Sequence, residues 1–276
     1  MGAAVTLALG ASLAWGVADF VGPWQGRTLG ALRVLLWAQL AGAAALALVV
    51  AARGEGPDGA GVLWAAPAAL SGTLGLYAYY RGTATGTMAV VAPIAGASAI
   101  VPVVFGLATG DRPSAAQLAG SACALAGVAL AAQEHQAEGR RLAAGAGLAL
   151  LAAVGFGFYF PPMHAAGSVD AWWSSLVFRL TSAGLVAATV AARRPPLALA
   201  GPRLAVVAAV GCGDTLGNLL FAAASGRGLV SLTSVLASLY PVVTVVLAAL
   251  VLRERVSRSQ LAGIALTLAG VGLISA

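Results

Sequence analysis

Apolar residues run along this chain in long, nearly unbroken stretches, at roughly 3–22, 28–52, 62–80, 83–108, 115–132, 142–160, 171–192, 204–225, 228–252 and 259–276. Polar or helix-breaking clusters separate them, chiefly Arg53 to Gly59, Gly110 to Ser114, Gln133 to Arg141 and Arg193 to Arg203. A stretch of about 20 apolar residues is what a helix needs to cross a bilayer. Inside lipid the backbone must satisfy its own hydrogen bonds, which favours helices. Strands of an outer-membrane barrel would alternate apolar and polar positions, and these runs do not. The pattern predicts an all-α polytopic membrane protein with ten transmembrane helices.

Composition supports that solvent. Of 276 residues, 60% are hydrophobic and only 9% charged, with a mean hydropathy of +0.93. A soluble domain carries about 25% charged residues, so a soluble enzyme, a nucleic-acid binder and a secreted disulfide scaffold are excluded. The net charge of +6 comes from fifteen arginines and no lysine. Scattered loop arginines set orientation in the membrane rather than bind nucleic acid. Cys123 and Cys212 fall inside apolar runs and read as small buried hydrophobes rather than as a disulfide or metal pair. The first run has no basic residue ahead of it, so it reads as a retained helix rather than a signal peptide.

The chain also repeats itself. QLAGSACALAGV at 117–128 lies over QLAGIALTLAGV at 260–271, an offset of 143, and GTLG at 72–75 lies over DTLG at 214–217, an offset of 142. Asp111 falls on Glu254 ahead of the matching helices. Residues 1–132 and 142–276 therefore read as related halves joined by a charged linker, 133–141. With five runs in each half, the second half would insert upside down relative to the first. Inverted repeats give two similar conformations open to opposite faces, the requirement of alternating access.

Two longer stretches carry a family resemblance. SLYPVVTVVLAALVLRERVSRSQLAGIALTLAGVGLI at 238–274 resembles the last two helices of the EamA family, within the drug/metabolite transporter superfamily. MAVVAPIAGASAIVPVVFGLATGDRPSAAQLAG at 88–120 resembles the matching part of its first repeat, and WGVADF at 15–20 looks like its first-helix signature. The arginines of the second and seventh helices also fit. The usual loop glutamate of the first repeat is here Asp111. The resemblance implies ten helices as two inverted five-helix repeats, around a cavity lined mainly by the first four helices of each half. It further implies transport or export of small metabolites, amino acids or drugs, often driven by a proton or by exchange.

Ionisable groups within the runs are the sharpest local signals, because each costs about 2.5–3.5 kcal/mol at a helix centre. Four stand out: Asp19, Arg33, Arg179 and Asp214. Their summed cost, on the order of 10 kcal/mol, must be offset by pairing or by a wet cavity. At about 1.5 Å per residue, Arg179 and Asp214 fall near the midplane and are expected to line a central cavity. Asp19, near the end of the first run, and Arg33, near the start of the second, are expected on one side of the membrane. Arg33 and Arg179 hold comparable places in the two halves, whereas Asp214 falls on Gly72. An arginine can hold a substrate carboxylate by two-point contact, and a desolvated aspartate can take up and release a proton. The plainer alternative is a fixed Arg–Asp staple between helices. Trp15 lies one turn from Asp19 and can share its face, where an aromatic beside a carboxylate suits a cationic or amphipathic solute.

Other features weigh less. Tyr77, Tyr79 and Tyr80, and Phe156 to Phe160, close the third and sixth runs, and read with Trp24, Trp172 and Trp173 as an interfacial belt. Pro93, Pro102 and Pro241 are expected to kink or break helices. Gln39 and Asn218 are expected to hydrogen-bond between helices. His164 falls in a loop and His135 in the linker, without metal-ligand spacing, so no metal and no cofactor is expected. Asp111 and Glu254 are expected to cap helix ends. Enzyme signatures such as GxSxG, HExxH and the phosphate-binding GxxxxGK[ST] are missing. Odd-numbered loops hold ten arginines and even-numbered loops three, which puts the odd loops inside, whereas the family resemblance suggests cytoplasmic termini. The sequence thus reads as a multi-pass inner-membrane transporter moving a small organic solute, an amino acid or related metabolite, by proton-coupled export through Asp214 or Asp19. The alternatives are a multidrug or lipophilic-cation exporter, and a non-transporting membrane subunit. Its expected partners are that solute, the bilayer and protons, with no nucleic acid; nothing in the sequence sets an oligomeric state.

Overall fold

A computed structural model describes residues 2–86, 88–131, 139–251 and 258–275. They are helical almost throughout, and no strand occurs among them. The first half holds α1 (Gly2–Leu29), α2 (Ala31–Arg53), α3 (Ala65–Thr85), α4 (Met88–Gly96), α5 (Ile100–Thr109) and α6 (Ala115–Ala131). The second holds α7 (Gly139–Gly167), α8 (Ala171–Arg193), α9 (Pro202–Ser225), α10 (Val230–Ala237), α11 (Tyr240–Val251) and α12 (Arg258–Ser275).

Seven of these segments are long and apolar enough to cross a membrane, and 94–109, 115–130 and 261–274 form shorter apolar helices. The expected ten full-length spans are therefore not all met by length. Two runs break where proline predicts. A short 3₁₀ turn, Ala97–Ala99, separates α4 from α5, whose third residue is Pro102. Ser238 and Leu239 separate α10 from α11, whose second residue is Pro241. Proline has no N–H and clashes with the carbonyl four residues back, so a helix ends just ahead of it.

Other prolines do not end a helix. α1 continues through Pro23 to Leu29 and stops at Gly30, whose φ of +89° needs no Cβ penalty. Pro23 leaves the carbonyl of Asp19 without its helical donor, and the Tyr79 hydroxyl donates to that oxygen at 3.5 Å. Neighbouring side chains of this kind are what make proline tolerable in membrane helices. α7 likewise runs through Pro161 and Pro162 to Gly167, so His164 lies in a helix and not in the loop expected for it.

Packing comes in pairs related by exchanging the halves. α1 packs on α9 as α7 packs on α3, α2 on α9 as α8 on α3, and α1 on α11 as α7 on α5, while α2 meets α8 and α6 meets α12. The pairs hold residue by residue. A side chain at Gly16 would collide with Val243, and one at Gly157 with Val101; Gly217 is closed off by the Trp15 ring and Gly75 by Phe156. Gly120 abuts Gly270, and Gly127 abuts Gly263, between α6 and α12. Such seams of small residues let backbones approach, which is how helices associate when lipid removes the hydrophobic drive between them.

Successive runs alternate in direction, α4 with α5 and α10 with α11 each counting as one broken run. On one face, called here the terminal face because α1 begins and α12 ends there, the Trp173 indole donates to Glu55 O and Asp111 accepts from Ser231 N and Oγ at 2.8 and 2.6 Å. On the other, the linker face, Arg27 donates to Thr83 O and Trp37 to Leu197 O. Asp111 thus caps α10, whereas Glu254, Arg253 and Arg255 lie outside the described residues, as does His135 of the linker. Cys212 is exposed and Cys123 half-buried, both as free thiols. Cys212 is not the buried hydrophobe expected: its neighbour Gly211 faces α2, and one residue on, about 100° around the helix, the thiol is turned outward.

Candidate functional site

A cavity lies between a buried layer toward the terminal face, built around Trp15, Phe160, Met163 and Phe221, and one toward the linker face, built around Leu35, Tyr79, Tyr80 and Val91. It holds about 510 Å³ of atom-free space, mouth included. Its walls come from α1 (Trp15, Asp19), α2 (Gln39), α3 (Gly72, Thr73, Leu76), α7 (Phe156, Tyr159, Phe160), α8 (Phe178, Ser182), α9 (Asp214, Asn218) and Tyr240 of α11. The first three helices of each half supply nearly all of it, and among the described residues α4, α5, α6, α10 and α12 supply none.

Arg179 stands behind this wall, 1% exposed. Its Nη1 donates to Asp214 Oδ2 at 2.8 Å and to Gln39 Oε1. Nε and Nη2 are buried without an acceptor. Because α2 and α8 span 31–53 and 171–193, the position in the first half that matches Arg179 is Gln39 and not, as expected, Arg33, which falls on Trp173. The guanidinium therefore meets its own counterpart across the seam between the halves, and its charge is met by a carboxylate on the next helix. A charge-assisted bond of this kind is short and about twice as strong as a neutral one. Asn218 extends the chain of polar contacts: its amide donates to the Asp214 carbonyl at 3.0 Å, and its oxygen accepts from the Tyr159 hydroxyl at 2.8 Å. Between α3 and α8 the Thr73 and Ser182 hydroxyls share a hydrogen bond of 2.6 Å.

Asp19 is different. It is 7% exposed and lines the cavity, yet among the described residues no cation lies within ion-pair distance of it. Trp15, one turn away, lines the same cavity, and the Tyr240 hydroxyl on the cavity wall is buried without a partner. Aromatic rings pack between these groups: Trp15 lies edge-on to Tyr159 at 5.9 Å, and Tyr159 edge-on to Phe178 at 5.3 Å.

The structure thus brings Asp19, Trp15 and Asp214 to one cavity, with Arg179 directly behind it, and leaves Arg33 out. Arg33 donates to Pro196 O at 2.6 Å, in the segment after α8 on the linker face. The expected closeness of Asp19 and Arg33 fails because α1 ends at Leu29, not near residue 22. Asp19 then sits ten residues from the helix end, about 15 Å deep, whereas Arg33 stands in the first turn of α2. The aromatic clusters are also not a belt alone. Tyr79, Tyr80, Tyr159 and Phe160 are buried, whereas Trp172 carries Arg53 over its ring at 4.8 Å near the terminal face. Thr73, Ser182 and Tyr240 are cavity residues that the sequence did not single out. Short hydroxyls in apolar helices are common, and only the repeat offset, which places Thr73 on Thr215, distinguishes one of them.

A helical membrane protein with paired packing between its halves, and a cavity lined by aromatic and polar side chains at their junction, has the architecture of a multi-pass carrier. Both halves match one family in sequence: residues 2–133 and 143–276 each fit the EamA-like transporter family. The chain belongs to the EamA-like transporter family, whose members are membrane transporters. A solved structure described only as the crystal structure of a protein shares the fold, with a TM-score of 0.78, 21% identity, and coverage of 99% of this chain and 96% of that one. No curated protein matches the chain.

Proposed function

We propose that this protein crosses the membrane ten times as two inverted five-helix repeats, residues 1–132 and 142–276 joined by the linker 133–141. In this reading it exports a small organic solute, an amino acid or related metabolite, across an inner membrane by alternating access. The paired packing of the halves supports this, because exchanging their conformations would open the same cavity to the other face. The observation that carries the reading is the cavity itself, where polar side chains from six helices share the lining with a buried carboxyl group, Asp19, that has no cation partner among the described residues.

The roles divide between the acids. Asp214 is held by Arg179 and acts as the fixed wall of the site, with the guanidinium available to a substrate carboxylate only if Asp214 yields it. Asp19 has no such partner and is the proton carrier: a carboxyl group facing the cavity can load when open to one face and unload at the other. Trp15 offers its ring to the apolar or cationic part of the solute. The solute is the substrate, and protons are the coupling partner.

A lipophilic-cation exporter needs both carboxylates free of arginine, and the Arg179–Asp214 bond counts against it. An inert subunit would have a sealed apolar centre, and the two carboxyl groups on the cavity wall, Asp19 and Asp214, count against that. The test is proton flux in proteoliposomes carrying a pH dye, challenged with amino acids, amines and drugs. Solute-dependent flux is expected for the native protein and for Arg33→Ala, with coupling lost in Asp19→Asn. No flux with any solute, together with no radiolabelled counterflow, overturns the transporter reading.

A further inference from the structure

We infer that two aromatic pairs related by the repeat, Trp15–Phe221 and Tyr79–Phe156, are the two gates of the cavity, and that the pair toward the linker face is the weaker. The inference rests on the alternating-access reading above and names the side chains that must part.

The pairs are counterparts. At an offset of 141 Trp15 falls on Phe156, and at 142 Tyr79 falls on Phe221, the same correspondence by which Trp15 closes off Gly217 and Phe156 closes off Gly75. Their ring centroids stand at the same separation, 6.1 Å in each pair. One ring of each pair lines the cavity, Trp15 and Phe156. The other, Phe221 or Tyr79, is 0% exposed and lies one turn beyond the last cavity residue of its helix, Asn218 or Leu76. Since α1 runs from the terminal face and α7 from the linker face, Trp15–Phe221 bounds the cavity toward the terminal face and Tyr79–Phe156 toward the linker face. Alternating access requires one such barrier to open while its counterpart stays shut.

The surroundings of the two pairs are unequal. Toward the terminal face, Phe160 packs on Phe221 at 4.9 Å and on Trp15 at 6.3 Å, and Tyr159 packs on Phe221 at 5.7 Å. Toward the linker face the corresponding positions are Asp19, matching Phe160, and Ala18, matching Tyr159. There Phe156 has one further ring neighbour, Tyr240 at 6.3 Å. Interlocked edge-to-face rings add attraction beyond the area they bury, and a carboxyl group in place of a ring gives water a foothold. The linker-face pair therefore parts more readily, which gives Asp19 its access to solvent on that face.

The test uses the full chain with Cys123→Ala and Cys212→Ala, and a single reporter, Ser182→Cys, in the cavity wall. A membrane-impermeant maleimide is applied to either face of vesicles of known orientation. Labelling is expected to be faster from the linker face. Tyr79→Leu is expected to raise linker-face labelling about two- to tenfold, the population shift that losing one ring contact allows, and Phe221→Leu to raise terminal-face labelling by a similar factor. Tyr79→Phe keeps the ring but gives up the hydroxyl's bond to the Asp19 carbonyl, and is expected to raise linker-face labelling less than Tyr79→Leu does. Equal labelling from both faces, ring removals that act on both faces alike, or Tyr79→Phe behaving as Tyr79→Leu overturns the inference. If a leucine variant does not fold, thiol cross-linking of Trp15→Cys with Phe221→Cys decides: the linked protein is expected to lose terminal-face labelling and keep linker-face labelling, and loss of both or neither overturns it. The labelling needs no solute. Flux without sided labelling refutes the gates alone, and sided labelling without flux refutes the transporter reading alone.

Discussion

Removing both charges of the Arg179–Asp214 pair is expected to cost less than the two single changes added together. Arg179 is 1% exposed and the Asp214 side chain 19%, so the two single changes strand their partners unequally. Asp214→Ala leaves a fully buried guanidinium with one acceptor, Gln39, and two nitrogens, Nε and Nη2, already unmet. Stranding a buried charge costs about 3–5 kcal/mol. Asp214→Asn keeps an acceptor oxygen and forfeits the ionic part, about 1.5–3 kcal/mol. Arg179→Gln is expected to cost about the same, since cavity water can take up the freed carboxylate. In the double variant Arg179→Gln/Asp214→Asn no charge remains, and amides face one another across the seam. The double change is therefore expected to cost less than the sum, with a coupling of about 1–3 kcal/mol. Thermal unfolding in detergent, read through tryptophan fluorescence, measures this, at about 2–4 °C per kcal/mol for a chain of this size. Additivity within about 0.5 kcal/mol would refute the pair as an energetic unit.

Three further outcomes are expected. Gly211→Ala puts a methyl into the carbonyl of Ala38 and should lower stability by about 1–3 kcal/mol, whereas Gly184→Ala, with nothing within 4 Å of the new carbon, should be neutral or gain about 0.4–1 kcal/mol; the same unfolding assay reads both. Asp111→Ala removes both bonds to Ser231 and should cost about 1.5–3 kcal/mol, with Asp111→Asn losing less; equal losses would show that charge is irrelevant to this cap. Asp19→Asn should leave unfolding close to native while coupled flux is lost, and a large drop in stability would make Asp19 a structural group.

The helical membrane architecture was legible in the sequence because it rests on long apolar runs, and the repeat because it rests on matched small residues such as those around Gly120 and Gly263. Placement of Arg179 and Asp214 in the middle turns of their helices was also legible, since residue count fixes position along a helix once its start is known. Asp19 was misplaced for the same reason: α1 runs through Pro23, because Tyr79, a residue 60 positions away, answers the carbonyl that proline leaves free. A long-range partner of that kind leaves no local pattern. The role of Gln39 was half visible. Its polarity in an apolar run marks it for an interhelical bond, but that its partner is its own counterpart, Arg179, appears only when the halves are packed together.

The two halves are alike in how they pack and unlike in their chemistry. Gly16 and Gly157, Gly75 and Gly217, and Trp15 and Phe156 keep the same contacts on both sides of the exchange. The ionisable groups do not: Arg179 stands where the first half has Gln39, Asp214 where it has Gly72, and Asp19 where the second half has Phe160. Two of these departures neutralise each other, so much of their insertion cost, about 2.5–3.5 kcal/mol each, is offset by the bond between them. The third has no such offset among the described residues. A carboxyl group placed in a membrane helix without a cation, against a cavity rather than against lipid, is held at a cost that packing does not recover. Stability and transport should therefore separate along this line, with variants of Arg179 and Asp214 read first in the melting temperature and variants of Asp19 read first in flux.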